Sequence, residues 1–381
     1  MIRLRATFIG GLSVFLLAWA STAGATGLTL QWDPSTDSSV TGYVLSWGTQ
    51  AGVHPNTVDV HSQTSWTVPA LANGTTYYFV VQAYNASGQM SANSNEASGP
   101  TVSSGTGCVG AGCSSGPDFN GDTRPDLVWQ NDTTRQVTSW YMSGAQGNVM
   151  QGWSWLSSAG VAGWRVVALR DFNGDGKPDV VWQNDATRQV TVWYMTGANG
   201  DVMQGWNYLS QAGVPGWTVV GTGDFNGDGK PDLVWENDTT RQVTVWYMSG
   251  TQGNVLQGWN YLSSAGVPGW TVVGTGDFNS DGKPDLIWLN DATRQVTVWY
   301  MGGAGGYVQE GWNYLSSAGV AGWTVAGTGD FNGDGKPDLV WMNDSTRQVT
   351  VWYMSGAQGN VMQSWNYLSS AGVPGWKVTV R

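Results

Sequence analysis

The residues best suited to chemistry in this chain sit in short acidic loops. Asp118-Phe119-Asn120-Gly121-Asp122-Thr123-Arg124-Pro125-Asp126 returns, with small changes, from Asp171, Asp224, Asp277 and Asp330, each copy 53 residues after the last. Every copy has carboxylates at its positions 1, 5 and 9 and Asn at position 3, and four of the five have Gly at position 6. Hard oxygen donors on a tight turn suit calcium, which accepts six to eight of them. Position 7 would add its backbone carbonyl. Three carboxylates brought close together without a cation repel one another. The candidate ligand sets are Asp118, Asn120, Asp122 and Asp126; Asp171, Asn173, Asp175 and Asp179; Asp224, Asn226, Asp228 and Asp232; Asp277, Asn279, Asp281 and Asp285; and Asp330, Asn332, Asp334 and Asp338. The first copy departs with Thr123 at position 6 and the fourth with Ser280 at position 4, so occupancy of these two is left open. An EF-hand would need Glu at position 12, where every copy has Trp. The alternative is a set of metal-free Asx-rich turns.

Such loops need a rigid frame, and the exact repeat supplies one. After the loop at Asp224 come Leu233-Val234-Trp235, a polar turn at residues 237–240, an alternating β-branched run from Gln242 to Met248, and Val255 to Leu262. Trp270 to Gly274 then leads into the next loop. Four short strands per unit is the content of a propeller blade, and spacing without insertions implies equivalent, stacked units. The repeats are 118–170, 171–223, 224–276, 277–329 and 330–381. Repeat one lacks the strand that precedes every later loop, and Trp376 to Val380 is a strand with no loop after it. That strand is expected to complete the first blade and close a five-bladed ring, removing exposed sheet edges. Four Trp per repeat at fixed offsets are expected to pack between blades.

The loops resemble those of FG-GAP (VCBS-type) repeats, which build integrin α-subunit propellers and many secreted bacterial proteins. The resemblance covers all five repeats. It implies a β-propeller, calcium at the loop positions named above, and a role in adhesion or recognition.

Ahead of the repeats, residues 1–25 read as an export signal: Arg3 and Arg5, an apolar stretch from Phe8 to Trp19, and an Ala23-Gly24-Ala25 cleavage site. Secretion is therefore expected, with no membrane span after cleavage. Residues 26–100 alternate with period two between turn clusters, as in a small sandwich. Leu71 to Asn85 resembles the F-strand signature of a fibronectin type III domain, with Trp32 at its buried B-strand position and Tyr77 at its tyrosine corner. The first strand of that family looks short or absent. His54 and His61 read as solvated surface residues for want of a third ligand. Residues 101–117 form a Gly/Ser-rich linker in which Cys108 and Cys113 would make a small disulfide loop in an oxidising compartment.

A net charge of -11 excludes nucleic acid as a natural partner. Catalytic parts are scarce. The repeats have no His, and Glu236 and Glu310, the only Glu after residue 100, read as surface drift rather than an acid/base pair. No enzymatic activity is expected. The hairpins Asn131 to Gln136 and their copies offer a polar set whose Arg could contact a ligand or pair with neighbouring Asp. The sequence thus points to a secreted, monomeric, calcium-binding propeller that recognises a glycan or an extracellular protein, with a non-catalytic scaffold as the alternative and a polysaccharide-acting hydrolase as a more distant one.

Overall fold

The computed structural model describes residues 14–15, 28–68, 71, 76–100 and 116–380. The chain divides into two compact units, residues 1–104 and 105–381. Among the described residues all regular structure is β. Cys108 and Cys113 lie outside them.

The first unit is a sandwich of two antiparallel sheets. Strands Val14–Phe15, Leu28–Trp32 and Ser65–Val68 form one sheet; the other runs Asn56–His61, Val40–Gly48, Thr76–Asn85, Ala97–Pro100. Alternation puts Leu30, Trp32, Leu45, Phe79 and Val81 in the core, and Trp32 meets Tyr43 edge to face at 5.9 Å. The first-strand position that looked short or absent is taken by Val14–Phe15, paired with Gln31 and Trp32. That pair belongs to the segment read as an export signal. The histidines part company. His61 is exposed, whereas His54 is nearly buried, its Nε2 2.8 Å from Glu96 Oε2. The expectation of a solvated His54 is corrected, because the Glu96 carboxylate supplies the polar partner that burial requires.

The second unit is a five-bladed β-propeller. Blade two shows the plan: Trp164–Arg170 innermost, then Asp179–Asn184, Val190–Thr196 and Val202–Ser210 at the rim, all antiparallel. The inner three strands bury β-branched residues on both faces, so Val180, Val181, Val190 and Val192 are sealed between neighbouring blades. The inner strand of each of blades two to five carries a bulge, after Val166 in blade two, which strengthens its twist. The first Trp of each repeat (Trp129, Trp182, Trp235, Trp288, Trp341) is fully buried. Trp182 packs against Val128 and Val137 of blade one.

Blade one takes its inner strand from the far end of the chain. Trp376–Thr379 pairs with Leu127–Asn131 in the register Trp376↔Asn131, Lys377↔Gln130, Val378↔Trp129, Thr379↔Val128. The inner strands then touch one another in a closed cycle. The circle is completed by hydrogen bonds.

Candidate functional site

Each acidic loop is a nest of backbone amides folded over its own carboxylates. In the second copy Asp171 Oδ1 accepts from Gly174 N and Asp175 N, and Asp171 Oδ2 accepts from Gly176 N at 2.8 Å. Asn173 Oδ1 accepts from Asp175 N, and Asp175 Oδ1 from Lys177 N. Asp179, fully buried, accepts from Phe172 N and from Met195 N on the third strand, pinning the loop to its blade. The other four copies repeat this pattern around Asp118, Asp224, Asp277 and Asp330.

Positions 4 and 6 both require positive φ, which is why Gly stands there. Thr123 at φ 74° and Ser280 at φ 62° hold the same conformation at a steric cost.

Desolvation dominates the electrostatics of these loops. It pushes the position-9 carboxyls up to about 8 in Asp179, Asp232, Asp285 and Asp338 and to about 7 in Asp126, against the pull of the amides they accept from. Asp171 rises to about 6 for the same reason.

Among the described residues no three His, Cys, Asp or Glu side chains converge into a metal-holding group. The donor set nevertheless fits a hard cation. Its carboxylates and Asn amides are oxygen acceptors with lone pairs beyond the amide bonds they accept, and positions 1 and 5 both raise the position-9 pKa by their charge. A calcium ion would be held by positions 1, 3, 5 and 9 together with backbone carbonyl, and would supply the counter-charge that the buried carboxylates lack.

One feature of the loops was not read from sequence. The residue at position 7 reaches back to the preceding loop: Lys177 Nζ donates to Phe119 O, Lys230 to Phe172 O, Lys283 to Phe225 O and Lys336 to Phe278 O. Arg124 Nη1 donates to Phe331 O and closes this ring. A second ring lies at the opposite end of the strands. Arg135, Arg188, Arg241, Arg294 and Arg347 pair with Asp185, Asp238, Asp291, Asp344 and Asp132, each in the next blade, at 2.7–3.3 Å. The reading of these Arg as salt-bridge partners describes the observed contacts. All five adopt φ near 60°.

Glu236 is not surface drift. It is 2% exposed, one oxygen 3.4 Å from Arg241 and the other accepting from Val272 N. Gln130 and Gln183 occupy the same position in blades one and two and accept from Val166 N and Val219 N. Glu236 thus serves as an ionisable version of a structural amide, and burial lifts its pKa to about 7. Glu310 is exposed on a rim strand, so the two Glu stand on different elements.

The rim strands alter the expectation for the tryptophans. The third Trp of each repeat (Trp153, Trp206, Trp259, Trp312, Trp365) is 50–54% exposed. Each lies edge to face with the aromatic two residues on (Trp155, Tyr208, Tyr261, Tyr314, Tyr367), centroids 5.3–5.6 Å apart. Packing between blades claims the first Trp and half-buries the second, but the rim strand has no outer neighbour. Alternation along the strand puts the two rings on a common face; their exposure depends on which strand is outermost.

The opposite wall of each rim cleft is polar. Trp259 pairs across strands with Trp246, which packs on Val192 and Tyr194 of blade two. Asn207, the cross-strand partner of Val192, therefore faces the same cleft, and its Nδ2 donates to Gln252 Oε1 at 2.7 Å. Asn313 and Asn366 make the same bond to Gln358 and Gln146.

Comparison with known proteins gives two family matches. The FG-GAP-like repeat model matches residues 118–182, 171–235, 224–288 and 277–341, and the fibronectin type III domain model matches residues 18–99. No curated protein sequence matches the chain. Among solved structures, a quinonprotein alcohol dehydrogenase-like protein from Bacteroides thetaiotaomicron is 8% identical, with 94% of each chain covered and a TM-score of 0.29. That likeness is too loose to carry an argument.

Proposed function

Since this chain belongs to the FG-GAP-like repeat family, we propose that it is an exported, calcium-loaded, non-catalytic binding module that recognises glycans through its rim. The observation that carries this reading is the fivefold set of half-exposed Trp with a second aromatic at right angles. The C–H face of a pyranose stacks on such a ring, and the Asn and Gln amides across the cleft suit sugar hydroxyls. One platform binds weakly. Five on one rigid ring multiply a weak affinity when the target is a polymer or a cell surface. Calcium in the acidic loops would be structural, stabilising the blades from the end of each inner strand.

The test is a glycan array run with calcium and with chelator, on the wild type and on a variant carrying Trp206→Ala, Trp259→Ala and Trp312→Ala. Retention of particular glycans by the wild type and loss by the variant are expected. Absence of any retained glycan sinks this reading in favour of a scaffold, and release of sugars from a bound polysaccharide would make the protein an enzyme. Mass measurement of the exported protein is expected to show cleavage after Ala25.

A further inference from the structure

The five repeats are so alike that their departures stand out, and several meet at one place on the propeller axis. The second residue of the inner strand is Thr218, Thr271 and Thr324 in blades three, four and five. In each of these blades its hydroxyl donates to the Asp of the Arg–Asp ring, at 2.6–2.8 Å. In blade two the same position is Arg165, and in blade one it is Lys377. The ring itself is charge-balanced, five Arg with five Asp. Arg165 and Lys377 are two further positive charges on adjacent inner strands. Asp185 shows the result: it is bracketed by Arg135 and Arg165, each at 2.8 Å, where its counterparts in blades three to five take one guanidinium and one hydroxyl.

Both residues line a pocket of about 260 Å³ at this mouth of the axis, with walls from the inner strands of blades one, two, three and five. Arg135, Arg165, Lys377 and Asp132 line it, and Asp185 just behind the wall is shared by Arg135 and Arg165, so that the charges in excess of the balanced ring are those of Arg165 and Lys377. In a chain of net charge -11 this is a local reversal of sign. Thr218, Thr324 and Thr379 add hydroxyls to the wall, and the buried Val167 and Ala326 make its inner part apolar. Deeper along the axis the inner strands leave no room. Thr275 Oγ1 donates to Thr222 O, Thr328 Oγ1 to Thr275 O, and a Cβ at Gly327 would lie 2.7 Å from the Val380 carbonyl. A ligand entering this mouth meets a floor.

We propose that the axial pocket binds one carboxylated sugar, a uronate, with its carboxylate held by Arg165 and Lys377 and its ring between the threonine hydroxyls and the valine floor. The cations select the acid, the hydroxyls suit the sugar's own, and the size admits a single ring. This site is separate from the rim platforms and differs in stoichiometry, one per chain against five.

Calorimetric titration of the full chain with sodium glucuronate, and with glucose as the neutral control, tests the proposal. One site per chain is expected, at least tenfold tighter for glucuronate than for glucose and weakened by added salt. Arg165→Thr combined with Lys377→Thr installs the residue that three other blades carry and is expected to lower the affinity at least tenfold. Should that pair disturb folding, Lys377→Thr alone, at an exposed side chain, is expected to weaken binding several-fold while keeping a cooperative thermal transition. Absence of saturable glucuronate binding, equal binding of glucose, or undiminished affinity in a folded variant each overturns the proposal. None of these outcomes depends on whether the rim retains glycans.

Discussion

At the scale of single residues, this molecule places side chains in backbone conformations they ordinarily avoid. Thr123 holds a loop position where all four other copies show Gly at φ 85–88°. Thr123→Gly is therefore expected to stabilise the propeller by roughly 0.5–1 kcal/mol, the relief of left-handed strain less the extra freedom Gly gains when unfolded. Urea unfolding would measure it, and a loss of stability would contradict the strain argument. The left-handed Arg of every hairpin also pays a steric cost, and the return is a bridge to the next blade.

Glu236 gives a pH prediction with a definite sign. Its pKa is about 7 folded, against 4.5 for the unperturbed group, so the folded state holds the proton more tightly. The associated stability is fully present below about 4.5 and lost as pH rises through about 7. Glu236→Gln installs the amide that blades one and two already use, and removes that slope. Relative to wild type the variant should gain on the order of 2–3 kcal/mol across this window. Parallel pH–stability curves for the two proteins would refute the assignment.

At the scale of elements, the decisive strand is Trp376–Thr379. Truncation after Gly375 removes Val378 and Val380, both 1% exposed, whose burial alone contributes about 3–5 kcal/mol. It also turns Leu127–Asn131 into an open inner edge. Hydrogen exchange of those amides in residues 127–131 that face the lost strand should accelerate, while those bonded to Val137–Ser143 stay protected, with a clear fall in melting temperature; unchanged protection would mean that the ring closes without its last strand. The four-strand blade and its closure were legible in the sequence because 53-residue spacing and the missing first strand are properties of order along the chain. The fate of the tryptophans was not. Trp182 and Trp206 have the same chemistry, and only their ranks in the blade, second strand and fourth, make one core and the other surface. Glu236 misled for a related reason: it stands where blades one and two carry Gln, and the inner strand that covers it, with Val272, belongs to the next blade.

At the scale of the whole molecule, the loops and the Arg–Asp hairpins form two rings at opposite ends of the strands, each bonding every blade to the next. Stabilisation of one loop is thereby handed to its neighbours. Calcium at about 10 mM, with a dissociation constant of about 0.1–1 mM, would add roughly 1.4–2.7 kcal/mol per loop occupied. Chelation is expected to lower the melting temperature of the propeller, and calcium in excess to restore it, while magnesium restores less. A thermal transition indifferent to chelator would mean that the loops work as Asx turns alone. The positions of the candidate ligands followed directly from the repeat, whereas the Lys links between loops did not, because a contact 58 residues away in sequence leaves no local trace.

A circle of near-copies also has a counting problem. Blades three, four and five present almost interchangeable flanks, so a folding chain could join the wrong two and shut early or late. The two flanks of the closing strand are spelled differently: on the blade-two side Ala168, Leu169 and Arg170 stand where blades three, four and five carry Gly-Thr-Gly, and on the blade-five side the bare backbone of Gly327 lies against Val380. Those few letters give an otherwise anonymous wheel its starting mark, and exchanging them for the common spelling should yield rings that misnumber themselves.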